Sequence, residues 1–294
     1  MRVSRRNPVL GINRRNIDYV LELNPRARFP LADDKILCKE KLSEAGFPVP
    51  ETRGIVRGRR EIEAMLDALS EGPPFVVKPA RGFGGQGVLL LEGADSGWRS
   101  AGGRAVSRDA LRFHIAGILS GMYSLDHLQD RVLIEEKLED ITLLSAVHGD
   151  RGVSDLRVIV AESEPVMAML RLPSRASGGS ANLHAGGLGV GVDIDRGRTT
   201  FAISGVRPID AHPDTGRALS GIEIPEWERI LEVCRPINEV FAMGYLGVDI
   251  VLDRQRGPVV LEVNARPGLA IQLANRAGLR PKLEDGRRAS RDGG

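Results

Sequence analysis

Two cysteines, Cys38 and Cys234, are the whole thiol content, and they lie far apart in stretches of helical periodicity. Neither a disulfide framework nor a cysteine-built zinc site follows from them. Lysine is scarce too. Only Lys35, Lys39, Lys41, Lys78, Lys137 and Lys282 stand among 41 basic residues, the rest being arginine, so each lysine position is informative. The net charge of +2 lacks the one-signed excess that would steer the chain to nucleic acid or an anionic membrane. No apolar run reaches the length of a membrane span, and Met1 to Pro8 is basic without an apolar stretch. A cytoplasmic protein, without membrane insertion or nucleic-acid binding, is the simplest expectation. The 294 residues can bury one large core or two lobes.

Residues 1–33 read as an extension with a short helix near Ile17 to Leu23. Asp33 and Asp34 then offer caps for a helix that opens on Lys35 and stops at Gly46. Glu61 to Leu69 and Asp109 to Leu119 carry apolar residues at helical spacing. Gly93 to Arg108, rich in Gly, Ser and Arg, reads as a mobile insertion. The run from Leu156 to Leu172 reads as a hairpin around Glu162 to Pro165, with Arg157 and Arg171 on its strands. Ser174 to Gly191 is a second Gly/Ser-rich crossing. Pro225 to Ala242 reads as a helix kinked at Pro236. The charged, Gly-ending tail, 281–294, reads as disordered. His114 fits a packing role, and His212 with Asp214 supplies too few ligands for a metal.

Two stretches carry chemistry. Pro74 to Pro79 is a short buried strand ending on Lys78. It runs into Arg81-Gly-Phe-Gly-Gly-Gln-Gly, and a second strand, Val88 to Leu91, follows. Without Cβ atoms, Gly84, Gly85 and Gly87 let backbone amides approach phosphate oxygens. The strand after the loop excludes a Walker loop or a Rossmann fingerprint, both of which lead into a helix.

The other stretch is Gly247 to Gly268, two β-rich runs around the turn Arg254 to Gly257. A four-residue turn would pair Asp253 with Pro258 and, counting outward, Asp249 with Glu262. One face then carries Val248, Ile250, Leu252, Val259, Leu261 and Val263, and the other Asp249, Glu262 and Asn264. Two carboxylates facing across a ladder repel by up to about 1 kcal/mol unless a cation lies between them. A hard divalent ion takes such oxygen ligands, with the Asn oxygen in line. The same residues also suit a solvated hairpin face.

In order stand a helical lysine (Lys35), a strand-end lysine with its loop (Lys78 and 81–87), an acidic segment (Glu135, Glu136, Lys137, Leu138), two strand arginines and the metal hairpin. This order, across residues 33–275, resembles the ATP-grasp superfamily. Leu-Arg-Leu-Pro at 170–173, Asn-Leu-His-Ala-Gly-Gly at 182–187 and Glu-Val-Asn-Ala-Arg-Pro-Gly at 262–268 are similar to ribosomal-protein glutamate ligases and bacterial glutathione synthetases. With Gly-Ile-Asn-Arg-Arg-Asn at 11–16 and His-Pro-Asp-Thr-Gly at 212–216, the chain resembles the α-L-glutamate ligase-like proteins, related to sugar-transfer-associated ATP-grasp proteins.

That resemblance implies an α+β fold of two lobes clasping ATP, divided at 34–134 and 135–280. It implies that Lys35 and Lys78 meet the phosphates under a loop of Arg81, Gly84, Gly85, Gln86 and Gly87. Glu135 would take the adenine amino group, beside Glu136 and the backbone of Lys137 and Leu138. Asp249, Glu262 and Asn264 would hold two Mg²⁺, with Mn²⁺ as a substitute. Arg171, Arg157 and Asn182 would steady the transferred phosphoryl group, and Arg266 a substrate carboxylate. The implied reaction is an ADP-forming ligation of a carboxylate to an amine, with glutamate or another amino acid joined to a peptide or small molecule. A phosphotransferase or a non-catalytic nucleotide-binding protein are the alternatives. Only 34 residues precede Lys35, where such ligases carry a substantial domain. The acceptor site is therefore expected to be open, or completed by a second copy or a partner protein.

Overall fold

Short β-rich runs, most of them buried along nearly their whole length, form two antiparallel sheets. The first contains β1 (Thr52–Val56), β2 (Phe75–Pro79), β3 (Leu89–Ala94), β4 (Gly97–Ser100), β5 (Ala105–Val106) and β6 (Val132–Glu136), in the order β1-β6-β2-β3-β4-β5. The second contains β7 (Asp155–Ala161), β8 (Glu164–Leu172), β9 (Leu188–Asp193), β10 (Arg198–Ser204), β11 (Arg207–Ile209), β12 (Tyr245–Asp253) and β13 (Gly257–Asn264), in the order β11-β10-β9-β8-β7-β12-β13. With helices packed on both sheets, the chain is of the expected α+β class. The computed structural model describes residues 8–82, 84–94, 97–124, 128–150 and 152–292, with side chains to 285. Phe83 of the Gly-rich loop, residues 1–7 of the extension and 293–294 of the tail lie outside the described residues. Among the described residues, no helix is long and apolar enough to cross a membrane.

Helices Ile62–Leu69 and Arg108–Leu119 lay Leu66, Ile115 and Ile118 on the first sheet against Phe75 and Ile134. Trp227–Cys234 and Ile237–Phe241 cover the second sheet, separated at Pro236 where the sequence predicts a kink. Helix Lys35–Glu44 joins the two. Its Cys38 and Leu42 belong to the second sheet's core, whereas Ile36 packs on Ala80 and Leu133 of the first. Asp34 caps it by accepting from the amides of Ile36 and Leu37. The division expected at 134/135 falls inside β6, which stays paired with β2 through Glu136.

Three segments differ from the expectations. Of the stretch Gly93 to Arg108, residues 95–96 lie outside the described ones, and Gly97–Ser100 and Ala105–Val106 form β4 and β5 where a loose insertion is expected. Trp98, 3% exposed, stands edge-on to Phe75 and makes this part of the first core. From Leu279 to Asp292 the chain is helical where disorder is expected, because Leu279 and Leu283 are buried in a cluster with Leu10 and Tyr245. In the β12–β13 hairpin Asp253 faces Gly257, one residue short of the predicted Pro258. A bulge between Asp249 and Ile250 absorbs the difference and restores the Asp249 to Glu262 pairing. Its consequence is a change of face. Val259 and Leu261, predicted on the core face, instead cluster with Leu138, Val153 and Val251 on the other side, while Val260 enters the core.

Candidate active site

Between the two sheets lies a cleft of about 1300 Å³. The joint helix opens into it with Lys35, whose Nζ donates to Gly82 O at 2.7 Å and stands 3.5 Å from Glu262. Lys78 enters from the end of β2 and is paired with Glu135 of β6. The two strands place them diagonally, since Val76 is opposite Glu135 and Lys78 opposite Leu133. Glu135 is 3% exposed, and its second oxygen accepts from Lys39 at 2.6 Å. Both oxygens therefore sit on lysine ammonium groups, where the resemblance implies an adenine contact. The neighbouring wall is apolar, with Val76, Leu138, Val251 and Leu261 lining the cleft.

Above the lysines runs the Gly-rich loop. Gly84, Gly85 and Gly87 have φ of +63°, +75° and +73°, the left-handed region that glycine enters without strain. A Cβ on Gly85 would come within 3.2 Å of Asn182 Nδ2, so the loop of one lobe reaches the Ser180 to Asn182 segment of the other. Gly87 stands apart from the cleft lining, against the ring of Tyr123, and its carbonyl is 3.0 Å from His114 Nε2. His114, expected to be a packing residue, thus braces the loop's end. Arg81 bonds Asp34 at 3.1 Å and anchors the loop to the joint helix. Arg131 contacts the same carboxylate.

On the second sheet the acids and arginines interlock. Arg157 lies opposite Asp249 and binds it through Nε at 2.7 Å and Nη2 at 2.5 Å. Arg171, opposite Asp155, binds that carboxylate and also donates to Asp249 Oδ2 at 2.6 Å. Burial pushes the Asp249 carboxyl up, but the charges and hydrogen bonds of Arg157 and Arg171 outweigh it and hold it well below the usual carboxylate range. For Asp155 burial wins over Arg171 and pushes it up to about 6. Burial opposes the charge of Arg171, but Asp155 and Asp249 prevail and raise its pKa.

Most of the predicted residues converge on this cleft. Lys35, Lys78, Arg81, Gly84, Gly85, Gln86, Glu135, Glu136, Leu138, Arg171, Asn182, Asp249, Glu262, Asn264 and Arg266 line it. Three of the predicted residues do not. Arg157 backs Asp249, Lys137 sends its Nζ to 4.0 Å from Glu92, and Gly87 packs on Tyr123. Arg266 sits at the mouth, its guanidinium 4.9 Å over the Phe29 ring and paired with Asp33. Sequence reasoning passed over Lys39, Asp155 and the wall formed by Arg26, Phe29 and Asp33. Only the scarcity of lysine pointed to the first.

The donor set can be tested against a hard divalent ion. Glu262, with 28% of its side chain exposed, and Asn264 offer oxygens on the cleft side of β13, and fit. Asp249 lies in the same ladder, but its oxygens already accept from Arg157, Arg171 and, at 3.4 Å, Asn264 Nδ2. It could join the set only by exchanging an arginine. Among the described residues no group of three or more His, Cys, Asp or Glu is poised around one point.

Residues 14–287 match the sugar-transfer associated ATP-grasp family. A probable alpha-L-glutamate ligase of Thioalkalivibrio sulfidiphilus is 28% identical over 252 residues, 85% of this chain and 61% of that protein. The ribosomal protein bS6–L-glutamate ligase of Escherichia fergusonii is 28% identical over 249 residues, 84% of this chain and 60% of its own. The chain thus spans about three-fifths of the length of these relatives. Among solved structures, D-cycloserine synthetase aligns with a TM-score of 0.51 at 16% identity, over 90% of this chain and 72% of that one. A biotin carboxylase complex from Campylobacter jejuni aligns at 0.54 and 13% identity, over 87% and 46%. The two solved structures share the fold, and the family match is of sequence along nearly the whole chain: the protein belongs to the sugar-transfer associated ATP-grasp family.

Proposed function

We propose that the chain is an ATP-dependent, ADP-forming carboxylate–amine ligase that works through an acyl phosphate. The observation that carries this reading is one cleft in which two lysines, a glycine loop, an arginine fork and the oxygens of Glu262 and Asn264 all face the same space. The glutamate ligases among the relatives agree with it.

Each residue has a definite task. ATP lies with its base on the apolar wall of Val76, Leu138, Val251 and Leu261, and its phosphates toward Lys35 and Lys78. The loop at Gly84 to Gly87 covers the phosphates and keeps water from the acyl phosphate. Glu262 and Asn264, with Asp249 after an exchange, would hold Mg²⁺, which would neutralise charge on the transferring phosphoryl group. Arg171 presents a charge, fixed by Asp155 and Asp249, to the carbonyl and phosphoryl oxygens. A substrate carboxylate attacks the γ-phosphorus, releasing ADP. An amine then attacks the activated carbon and expels phosphate. No protein nucleophile is needed, so alignment and charge do the catalysis.

The test is release of ADP and phosphate from Mg-ATP across a panel of carboxylates, glutamate first, each with and without amines. ADP formation that requires both an acid and an amine supports the ligase and names its substrates. ADP formed with an acid or alcohol alone would instead establish a phosphotransferase.

A further inference from the structure

Lys39 belongs to none of the tasks above, yet it is placed with care. It lies one turn beyond Lys35 on the joint helix, with a side chain only 11% exposed. Its ammonium donates to Glu135 Oε1 at 2.6 Å, while Lys78 meets Oε2 of the same carboxylate. The Lys78 and Glu135 side chains are 10% and 4% exposed. Lys78 and Glu135 line the cleft, whereas Lys39 reaches the carboxylate from the side of Ile36, Glu40 and Ile55. Burial lowers the pKa of Lys39 and the Glu135 charge works against that fall.

In direct contact the trio has two cations for one anion, with Glu136 the next anion acting on Lys39. A surplus positive charge held away from water is unfavourable unless another anion completes the set. Toward the cleft, the cation it presents is Lys78. With a single lysine, the pair with Glu135 would be closed, and a phosphate would have to break a buried ion pair to reach Lys78. With two, Glu135 keeps a partner when Lys78 turns away.

We propose that Lys39 is the resident counter-ion of Glu135, a positioning residue that frees Lys78 to be shared with a nucleotide phosphate. This rests on the reading of the cleft as an ATP site, but on no later step of the reaction.

The test therefore measures equilibrium binding of ATP to the full chain by calorimetry, without a second substrate. Lys39→Met is expected to weaken ATP binding about tenfold, the scale of one charge-assisted hydrogen bond lost to a competing buried pair. Lys39→Arg should bind as the parent does. The decisive comparison is Glu135→Gln with and without Lys39→Met. Once the carboxylate is gone Lys39 has nothing to balance, so its removal should cost no further affinity, and the double variant should bind ATP more tightly than Lys39→Met alone. Equal losses for Lys39→Met in both backgrounds would mean a packing role and overturn the proposal. Should Lys39→Met fail to fold, Lys39→Gln takes its place: a loss of affinity that vanishes in the Glu135→Gln background supports the proposal, and an equal loss in both backgrounds overturns it. If the parent chain binds no ATP, the nucleotide reading itself falls and takes this one with it.

Discussion

Arg171 grips Asp155 and Asp249 together, with Nε on the first and Nη2 on the second, the latter at 2.6 Å. On the neighbouring strands β7 and β12, these acids would repel without it. Arg171→Met should therefore destabilise the fold by about 3–5 kcal/mol, since it leaves buried Asp155 without its partner and Asp249 with Arg157 alone of the two. Arg171→Lys should fold better but lack the fork, and turnover should fall by roughly a hundredfold or more. Chemical denaturation and steady-state assays separate the two effects. A Lys variant with parental turnover would remove Arg171 from the chemistry.

Asp249 and Glu262 face each other across the hairpin, but removing them should not be equivalent. Glu262 is partly exposed and lies 3.5 Å from Lys35. Asp249 is 1% exposed and neutralises Arg157 and Arg171. Glu262→Ala should lose turnover and keep its melting temperature within a degree or two, as surface changes do. Asp249→Ala should lose turnover and about 3–5 kcal/mol of stability as well. Mg²⁺ titration of ATP binding is the second readout, with Glu262→Ala expected to need more metal for half-saturation. Unchanged metal dependence would assign Glu262 another role.

How much of this was legible depended on distance along the chain. Alternation and counting placed Asp249 opposite Glu262, although the turn was misjudged by one residue. The bulge that corrects the count has no signature in residue type, because Leu261 is as apolar as Val259 and Val260 before it, and so counting assigns Val259 and Leu261 to the wrong face. The glycine loop and its lysine are local and could be read. Lys39 and Glu135 are 96 positions apart, and nothing local connects them. Composition also misled: Gly and Arg around Trp98 suggested a loose insertion, whereas burial of one indole on Phe75 decides the segment.

Glu63 offers a pH test away from the cleft. Hydrogen bonds from Arg112 and then Arg108 hold its carboxyl down from 4.5 to about 2, and tie helix Ile62–Leu69 to Arg108–Leu119. A depressed carboxyl contributes stability above its unfolded value and loses it as pH falls through the folded one. Glu63→Gln should therefore melt slightly below the parent at pH 7. The gap should narrow as pH falls below about 4.5 and close near pH 2. Because the group is exposed, added salt should shrink the difference at neutral pH. A gap independent of both pH and salt would mean that the ion pairs contribute nothing.

Arg15 links the amino-terminal segment to the loop that follows the hairpin. Buried at 7% exposure, it donates to the carbonyls of Pro267 at 2.8 Å and Arg266 at 3.2 Å. Asn24 completes the clasp, with Nδ2 on Tyr245 O and Ala265 O and Oδ1 accepting from Tyr245 N. These bonds fix the backbone from which Asn264 and Arg266 face the cleft. Arg15→Met would strip the buried carbonyl of Pro267 and the part-buried carbonyl of Arg266 of a charged donor, which should cost about 1.5–3 kcal/mol. On the proposed ligase reading, with Arg266 toward the carboxylate substrate, it should also raise KM for that substrate more than KM for ATP, because Arg266 pairs with Asp33 and Phe29 and not with the lysines. Steady-state assays varying each substrate in turn check this. Equal changes in both constants would show that the clasp supports the whole lobe and not this loop in particular.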